Sequence, residues 1–349
     1  MVSCKLIKIV NKAQNNLEYH KIMLRHFVLI QIHQYLESYL PIVVKFSEVL
    51  NLPNASSAMF IIIYIIILEI EKFFIIIFRM TCSCNNNKKQ NGVKTKKNAN
   101  IKVINGITVN YQKYPFFGVL WYNNRVICGA SLIKKGSQNI VITAAHCVYF
   151  AEPSELQVGF YQPNRTTKKY TFNVTNINIH PNFTIKSSPS IVDEIYENDI
   201  ALLTISGTPP PVVPVLSIPN KVLGKKFIIP GTKTKLIGYG DTSYPNGDQS
   251  FLLQCACTPI ISKNNPKVKY NPADITNGMI LAGKPFSDPS QNVDSCFGDS
   301  GGPLLYDYNG TTYLVGLVSW GNGCALYGYP GVNTDINYYR EWITVNAAV

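Results

Sequence analysis

From residue 103 onward, short runs of β-branched and aromatic residues alternate with clusters of Gly, Pro and Asn. This spacing is typical of the strands of an all-β sandwich or barrel. A Pro-rich stretch at 209–214 lies near the middle and separates two β halves. Near the end, Ile336, Tyr339, Trp342 and Ile343 have the spacing of one helical face, which predicts a closing amphipathic helix. The predicted strands include 116–122, 140–143, 200–205, 235–239 and 313–320.

The first 102 residues have a different composition. Residues 1–58 form an atypical N-terminal region, which the mature protein lacks if synthesis starts at Met59. In 59–78, the apolar run 60–68 suits a signal-peptide core and is shorter than the roughly 20 residues that cross a bilayer. A span over 60–78 would bury three ionisable groups, at about 2.5–3.5 kcal/mol for each Lys- or Asp-like charge. We predict export, with a single-pass anchor as the alternative. Residues 79–102, rich in Lys and Asn, have the composition of a propeptide or linker.

The net charge of +12 does not indicate nucleic-acid binding once it is divided along the chain. Residues 1–102 carry 14 Lys/Arg against 5 Asp/Glu, whereas residues 103–349 carry 18 against 15. The basic excess therefore lies mostly outside the predicted β domain. The lysine-rich stretch 88–102 contains no aromatic residue that would stack on bases, so we expect no nucleic-acid partner.

The cysteines and glycosylation sequons favour an exported domain. None of the nine cysteines has the spacing of a zinc site, and Cys82 and Cys84 are too close together for a Cys-x-x-Cys redox motif. Sequons for N-glycosylation fit the same compartment. They lie at Asn54, Asn164, Asn173, Asn182 and Asn309.

The run 298–302, Gly-Asp-Ser-Gly-Gly, contains a candidate nucleophile, Ser300. It satisfies the Gly-x-Ser-x-Gly elbow of α/β-hydrolases, but in that fold the catalytic histidine follows the serine. All five histidines precede Ser300, so this interpretation fails and the order histidine, aspartate, serine remains.

His146 and Asp199 are the candidate base and acid. His146 follows a β run and two alanines, and the adjacent Cys147 can fix its backbone. His180, before a proline, is interpreted as a surface or packing histidine. Asp199 enters an apolar strand, where burying an unpaired carboxylate costs several kcal/mol. An imidazole would supply its partner, whereas Asp193 has polar surroundings and is the weaker candidate.

Six segments in this order resemble the trypsin/chymotrypsin family of serine proteases along nearly all of 103–349: 103–106, 128–133, 143–147, 199–203, 294–304 and 319–321. The resemblance implies two antiparallel β-barrels packed face to face, followed by a C-terminal helix. It implies that Ser300 attacks the scissile carbonyl, with His146 as general base and Asp199 holding its ring. The backbone N–H groups of Gly298 and Ser300 would form the oxyanion hole.

The same resemblance implies a specificity pocket. Asp294, six residues before Ser300, matches an acidic floor that selects Lys or Arg, because a long cation would otherwise enter an apolar slot unpaired. Asn333 departs from the family, which usually has a tyrosine behind the pocket. The resemblance implies that Ser319, Trp320, Gly321 and Gly331 also bind the substrate.

The bond between Lys102 and Val103 resembles a zymogen cleavage site. Cutting there would free the α-amino group of Val103, which would pair with Asp299 beside the nucleophile. That pair would order the loop carrying Gly298, so assembly of the oxyanion hole would depend on proteolysis. Because a lysine precedes the bond, the enzyme is a candidate for self-activation.

The family resemblance also implies the disulfides Cys128–Cys147 and Cys296–Cys324. Val109 occupies the position that would supply the usual partner of Cys255. Cys255 and Cys257 then either bond each other as a strained near-neighbour pair or reach Cys82 or Cys84, and the sequence does not choose. We expect no metal and no cofactor.

These features predict a secreted serine endopeptidase made as a zymogen, with protein or peptide substrates and protein inhibitors as partners. We expect a monomer, and a membrane association only if 60–78 is retained as an anchor. The alternative is a catalytically silent binding protein, which arises in this family when a catalytic residue is replaced. All three catalytic positions, Gly298 and Asp299 are intact, which favours the enzyme.

Overall fold

A computed structural model of the chain describes Cys82, Cys84 and residues 106–189, 191–245, 247–284 and 292–347. The regions 1–58 and 59–78 and the predicted activation bond between Lys102 and Val103 lie outside these residues. Across the described part, no helix has both the length and the apolar character that a membrane span requires.

The described part consists mainly of β-strands, with two short α-helices. The helices are α1 (Lys221–Phe227) and α2 (Arg340–Ala347). The strands are β1 (Ile107–Thr108), β2 (Phe117–Tyr122), β3 (Arg125–Lys134), β4 (Asn139–Thr143), β5 (Leu156–Phe160), β6 (Tyr170–Ile179), β7 (Thr184–Lys186), β8 (Ile195–Glu197), β9 (Ala201–Ile205), β10 (Lys233–Gly238), β11 (Gln254–Ile261), β12 (Met279–Ala282), β13 (Pro303–Tyr308), β14 (Thr311–Trp320) and β15 (Gly331–Asp335).

The first half of the domain forms a closed antiparallel barrel in the order β2-β3-β4-β9-β6-β5. Its strands are rich in β-branched and aromatic residues that pack well on a pleated surface. Strand β4 is buried along its whole length. The barrel interior includes Leu120, Leu132, Val141, Val158 and Leu203.

The second half forms the sheet β1-β11-β10-β13-β14-β15-β12, and an additional pairing of β11 with β12 closes six of these strands into a second barrel. Strand β1 is added to the edge of β11. The predicted fold of two antiparallel barrels is confirmed, and the five predicted strands are present with ends shifted by up to two residues.

The C-terminal helix is shorter than the predicted helical face. Ile336 and Tyr339 are buried, but α2 begins only at Arg340. The side chain of Asp335 caps the turn between β15 and α2, because its Oδ1 accepts the N–H groups of Asn337 and Tyr338. The helix then packs Ile343 into the core.

The two barrels share a core and meet at the loops that carry the predicted site. One buried cluster contains Trp121 and Ile142 of the first barrel together with Leu305 and Leu317 of the second. The loops after β4, before β9 and before β13 converge at this junction. Candidate functional side chains from distant parts of the sequence are therefore brought together there.

Candidate active site

His146 and Asp199 are directly bonded at the barrel junction. His146 lies in a 3₁₀ turn, Ala145–Cys147, immediately after β4. Its Nδ1 is 2.7 Å from Asp199 Oδ2, and its backbone N–H donates to Asp199 Oδ1 at 2.8 Å. A disulfide between Cys147 and Cys128 ties this turn to β3. Both the ring and the backbone of the histidine are thus held by one carboxylate.

Asp199 is only 2% exposed, yet it is held as a carboxylate. Burial raises its pKa, but the charge of His146 and the hydrogen bonds from His146 and Ser319 outweigh burial and leave the pKa below its ordinary value. Ser319 Oγ donates to Asp199 Oδ2 at 2.5 Å, and Thr334 Oγ1 donates to the Asp199 carbonyl at 2.7 Å. An ionised Asp199 accepts the Nδ1 proton and leaves Nε2 as the basic nitrogen of the ring.

Tyr196 is a neighbour of the histidine that the sequence analysis did not identify. Its ring stacks on the His146 imidazole with centroids 4.4 Å apart and planes 11° apart. Its hydroxyl donates to Glu194 Oε2 at 2.9 Å. The only sequence signal is an aromatic residue three positions before Asp199, which is too common to single out. The stack limits tilting of the imidazole.

Ser300 is anchored in both barrels through its backbone neighbours. Its carbonyl accepts the N–H of Gly129 on β3 at 2.8 Å, and Gly301 N–H donates to Val318 O on β14 at 2.8 Å. Gly301 has φ +70°, and a Cβ there would lie 2.2 Å from Thr143 Oγ1. Only glycine fits this conformation and this close approach. The serine therefore sits at a fixed turn between the barrels.

The N–H groups of Gly298 and Ser300 have no hydrogen-bond acceptor among the residues that the structure describes. Gly298 has φ +92°, a conformation that favours glycine. Both residues line a cleft of ≈ 640 Å³ that His146 also lines. No hydrogen bond joins His146 Nε2 to Ser300 Oγ within the described part, and such contacts are often long in unliganded sites.

This cleft combines a serine hydroxyl, an oriented imidazole and two N–H groups that have no acceptor among the described residues, and these are the groups that acyl transfer requires. The family model for Trypsin matches residues 103–343 of the chain. The chain belongs to the trypsin family. It is a serine endopeptidase, as the six sequence segments predict, and proteins of this family act on protein and peptide substrates.

Individual members of the trypsin family resemble this protease over most of the domain. Trypsin-1 of Astacus astacus is 36% identical over 230 residues, which cover 63% of this chain and 87% of that protein. Vitellin-degrading protease of Bombyx mori is 30% identical over 72% of this chain and 88% of its own. Urokinase-type plasminogen activator of Gallus gallus is 31% identical over 70% of this chain, but the match spans only 57% of that protein.

Asp294 lies in the same cleft of this trypsin-family protease and is 2% exposed. Its Oδ1 accepts the N–H groups of Ser295 and Gly331, and its Oδ2 accepts that of Ala325. Within the described part, no basic side chain forms an ion pair with it. Burial raises the pKa of Asp294 to about 7 despite these backbone bonds. The cleft thus contains a buried carboxyl group whose hydrogen bonds come from backbone N–H groups.

The walls of the cleft near Asp294 are formed by the other predicted substrate-binding residues. A Cβ at Gly331 would lie 2.5 Å from Asp294 Oδ1, so any larger residue there would clash with this carboxylate. Asn333 is buried and donates through Nδ2 to Gly331 O at 3.1 Å, so it supports the wall from behind. A disulfide between Cys296 and Cys324 joins two further lining residues. Ser319, Trp320 and Gly321 also line the cleft.

Asp299 is completely buried beside the nucleophile. Its carboxylate accepts the N–H groups of Gly240 at 2.8 Å and Cys296 at 3.0 Å. No lysine, arginine or histidine of the described ranges pairs with it. Burial raises its pKa to about 7. Lys102 and Val103, its predicted partners in activation, lie outside the described residues.

The structure decides how Cys255 and Cys257 are paired, which the sequence left open. Cys82 is bonded to Cys255, and Cys84 is bonded to Cys257. The near-neighbour bond between Cys255 and Cys257 is therefore not formed. Val109 is buried in the same cluster as Cys82 and Cys255.

Proposed function

We propose that this serine endopeptidase is catalytically active and cleaves after Lys or Arg. The observation that carries this specificity is the buried Asp294 carboxylate, which lines the cleft and has no cationic partner among the described residues. An unpaired buried charge is costly, so the pocket favours a side chain that brings the opposite charge. A Lys or Arg side chain is long enough to reach it and buries its methylene stem along the cleft wall.

In the proposed reaction, Ser300 Oγ attacks the scissile carbonyl while His146 Nε2 takes its proton. Asp199 keeps the ring in the required tautomer and stabilises the imidazolium that forms. The negative oxygen of the tetrahedral intermediate accepts hydrogen bonds from the N–H groups of Gly298 and Ser300. Each such donor contributes roughly 3–4 kcal/mol to transition-state stability. His146 then protonates the leaving amine, and water releases the acyl group by the reverse proton transfers.

The Asp294→Asn variant tests the specificity. We expect it to lose about 3–5 kcal/mol of transition-state binding for a lysine or arginine substrate, because the substrate cation is buried without its partner. This corresponds to a fall in kcat/KM on the order of 10³-fold. A matched peptide with an apolar residue at the cleaved position serves as the control and should lose little. An equal loss on both peptides would contradict a specificity role for Asp294.

The affinity of the cleft for a small cation should rise with pH up to about 7, because the pKa of Asp294 is raised to that value. Below about pH 7 the carboxyl is protonated and neutral, so binding of a cation must first release a proton. Benzamidine, whose cation persists in this range, should bind about tenfold tighter per pH unit as pH rises towards 7 and then level off. Calorimetry in buffers of different ionisation enthalpy measures the released proton. Asp294→Asn should bind weakly and without this slope.

We further propose that the protease is exported and activated by cleavage between Lys102 and Val103. The sequons at Asn173, Asn182 and Asn309 are exposed, which supports passage through a glycosylating compartment. The buried Asp299 carboxylate has no cationic partner among the described residues, which supports a role for the new α-amino group. Sequencing the amino terminus of the mature protein tests the signal, the anchor alternative and the activation bond together.

A further inference from the structure

Two adjacent disulfides attach the chain upstream of the peptidase domain to strand β11. Cys82 bonds Cys255 and Cys84 bonds Cys257, with Cα–Cα distances of 6.0 and 5.6 Å. Residues two apart on a strand point to the same face. The two cysteines of β11 therefore offer both sulfurs to one approaching segment. Cys82 and Cys84 precede residues 103–343, which match the family model, so the attachment is additional to that domain.

The attached residues are packed into the domain. Cys82 is 6% exposed and belongs to the buried cluster that joins the two barrels. Its backbone hydrogen bonds the hydroxyl of Tyr114. Cys84 is partly buried against the same cluster, and its Sγ lies 3.5 Å from Thr234 O on β10. The upstream residues thus form part of the structure of the second barrel.

The chain downstream of the proposed activation bond is held on the same strand by other means. In β1, Ile107 pairs with Cys255 of β11. Val109 N–H then donates to Leu253 O at 2.9 Å. Residues 85–105 therefore connect two points on β11, one joined by disulfides and the other by strand pairing. A cut after Lys102 falls between these points, so both the upstream and the downstream chain stay attached to β11.

We infer that the activated protease is a two-chain protein in which the upstream chain stays covalently bound to the peptidase through Cys82 and Cys84. This inference rests on the proposed activation between Lys102 and Val103. Activation then exposes a new amino terminus without discarding the pro-segment. Any anchor or targeting segment left upstream of Cys82 also stays with the active enzyme, so its location is set by the upstream chain.

The test uses the full-length Ser300→Ala protein, purified with free thiols alkylated and digested briefly with a lysyl endopeptidase. The lysines at 88–102 offer this enzyme several bonds between Cys84 and the described domain. Gels without reductant should show the upstream fragment still joined to the peptidase, and dithiothreitol should separate the two. Separation without reductant would overturn the inference. If the native protein resists digestion, peptide mapping of the denatured, unreduced protein decides whether Cys82–Cys255 and Cys84–Cys257 are present.

Matched variants separate the two bridges. Cys82→Ser and Cys84→Ser should each retain the fragment through the remaining disulfide, whereas the double variant should release it without reductant. Release from either single variant would contradict two independent bridges. Where a variant fails to fold, the peptide map of the protein with all cysteines intact shows whether both disulfides are present.

Activity is measured separately on the protein with Ser300 intact. A retained fragment with no hydrolysis of a lysine ester would disprove the proposed function and leave the attachment standing. Hydrolysis together with a released fragment would disprove the attachment alone.

Discussion

Replacing Ser300 with alanine is expected to lower kcat on a small lysine or arginine ester by on the order of 10⁶-fold, the loss typical of a removed serine nucleophile. Without Oγ no acyl-enzyme forms, so His146 has no nucleophile proton to accept and Asp199 has no imidazolium to stabilise. The oxyanion donors and the cleft remain, which leaves a residual rate above that of water. Initial rates measure the fall in kcat and the residual rate. A burst-phase titration of active sites measures whether an acyl-enzyme forms.

Binding of a small cation is the control for Ser300→Ala. The substitution leaves Asp294 and its hydrogen bonds unchanged, so an intact cleft should still bind the cation. Benzamidine should bind the variant within about twofold of the parent protein. The thermal midpoint should change little, since the half-buried Ser300 hydroxyl has no hydrogen-bond partner among the described residues. Activity that survives the substitution would assign the nucleophile elsewhere. An inactive parent protein, after cleavage at Lys102, would instead favour the silent binding protein.

Much of the arrangement of the candidate site was predictable because each residue predicted to be catalytic lies in a short local motif. The absence of a histidine after Ser300 excluded the α/β-hydrolase order, and the apolar run after Asp199 marked a carboxylate in need of a partner. The structure places that carboxylate 2.7 Å from His146 Nδ1. Sequence order and local composition suffice here, because the loops that carry these residues follow or precede predictable strands.

Other contacts depend on packing that local sequence does not encode. Tyr196 stacks on His146 because the short hairpin of β7 and β8 delivers its ring there. The bonds of Cys82 and Cys84 span a sequence separation of 173 residues each. Cys82 and Cys84 are two residues apart, and so are Cys255 and Cys257. This equal spacing matches the two-residue period of a strand and is the sequence feature that indicates two parallel disulfides. Helical spacing alone also does not show that the regular helix begins only at Arg340, after the turn that Asp335 caps.

Lys102→Gln is expected to hold the protease in an inactive form. Without cleavage at this bond, no α-amino group is available at Val103 to pair with Asp299, whose buried carboxylate otherwise has a pKa of about 7 and only backbone partners in the described part. The loop carrying Gly298 then lacks the ion pair that would order it. Losing one or both oxyanion donors costs on the order of 10²–10³-fold in kcat for each.

The measurement for Lys102→Gln is ester hydrolysis before and after brief treatment with trypsin, and Lys97→Gln is the matched control. Lys97 lies in the same lysine-rich stretch, so its variant should activate like the parent protein. Full activity of uncleaved Lys102→Gln would contradict the switch.

The active form should also have a pH window, because each member of the Asp299 ion pair shifts the pKa of the other. A free α-amino group has a pKa near roughly 8, and a carboxylate partner raises it. The same pair lowers the pKa of Asp299 from its unpaired value of about 7. The ion pair, and with it the ordered oxyanion loop, is therefore intact between the two shifted values. It is lost as pH rises through the upper value or falls through the lower. Acetylating the new amino terminus should abolish activity at every pH, since it removes the charge and leaves Asp299 buried without a cation.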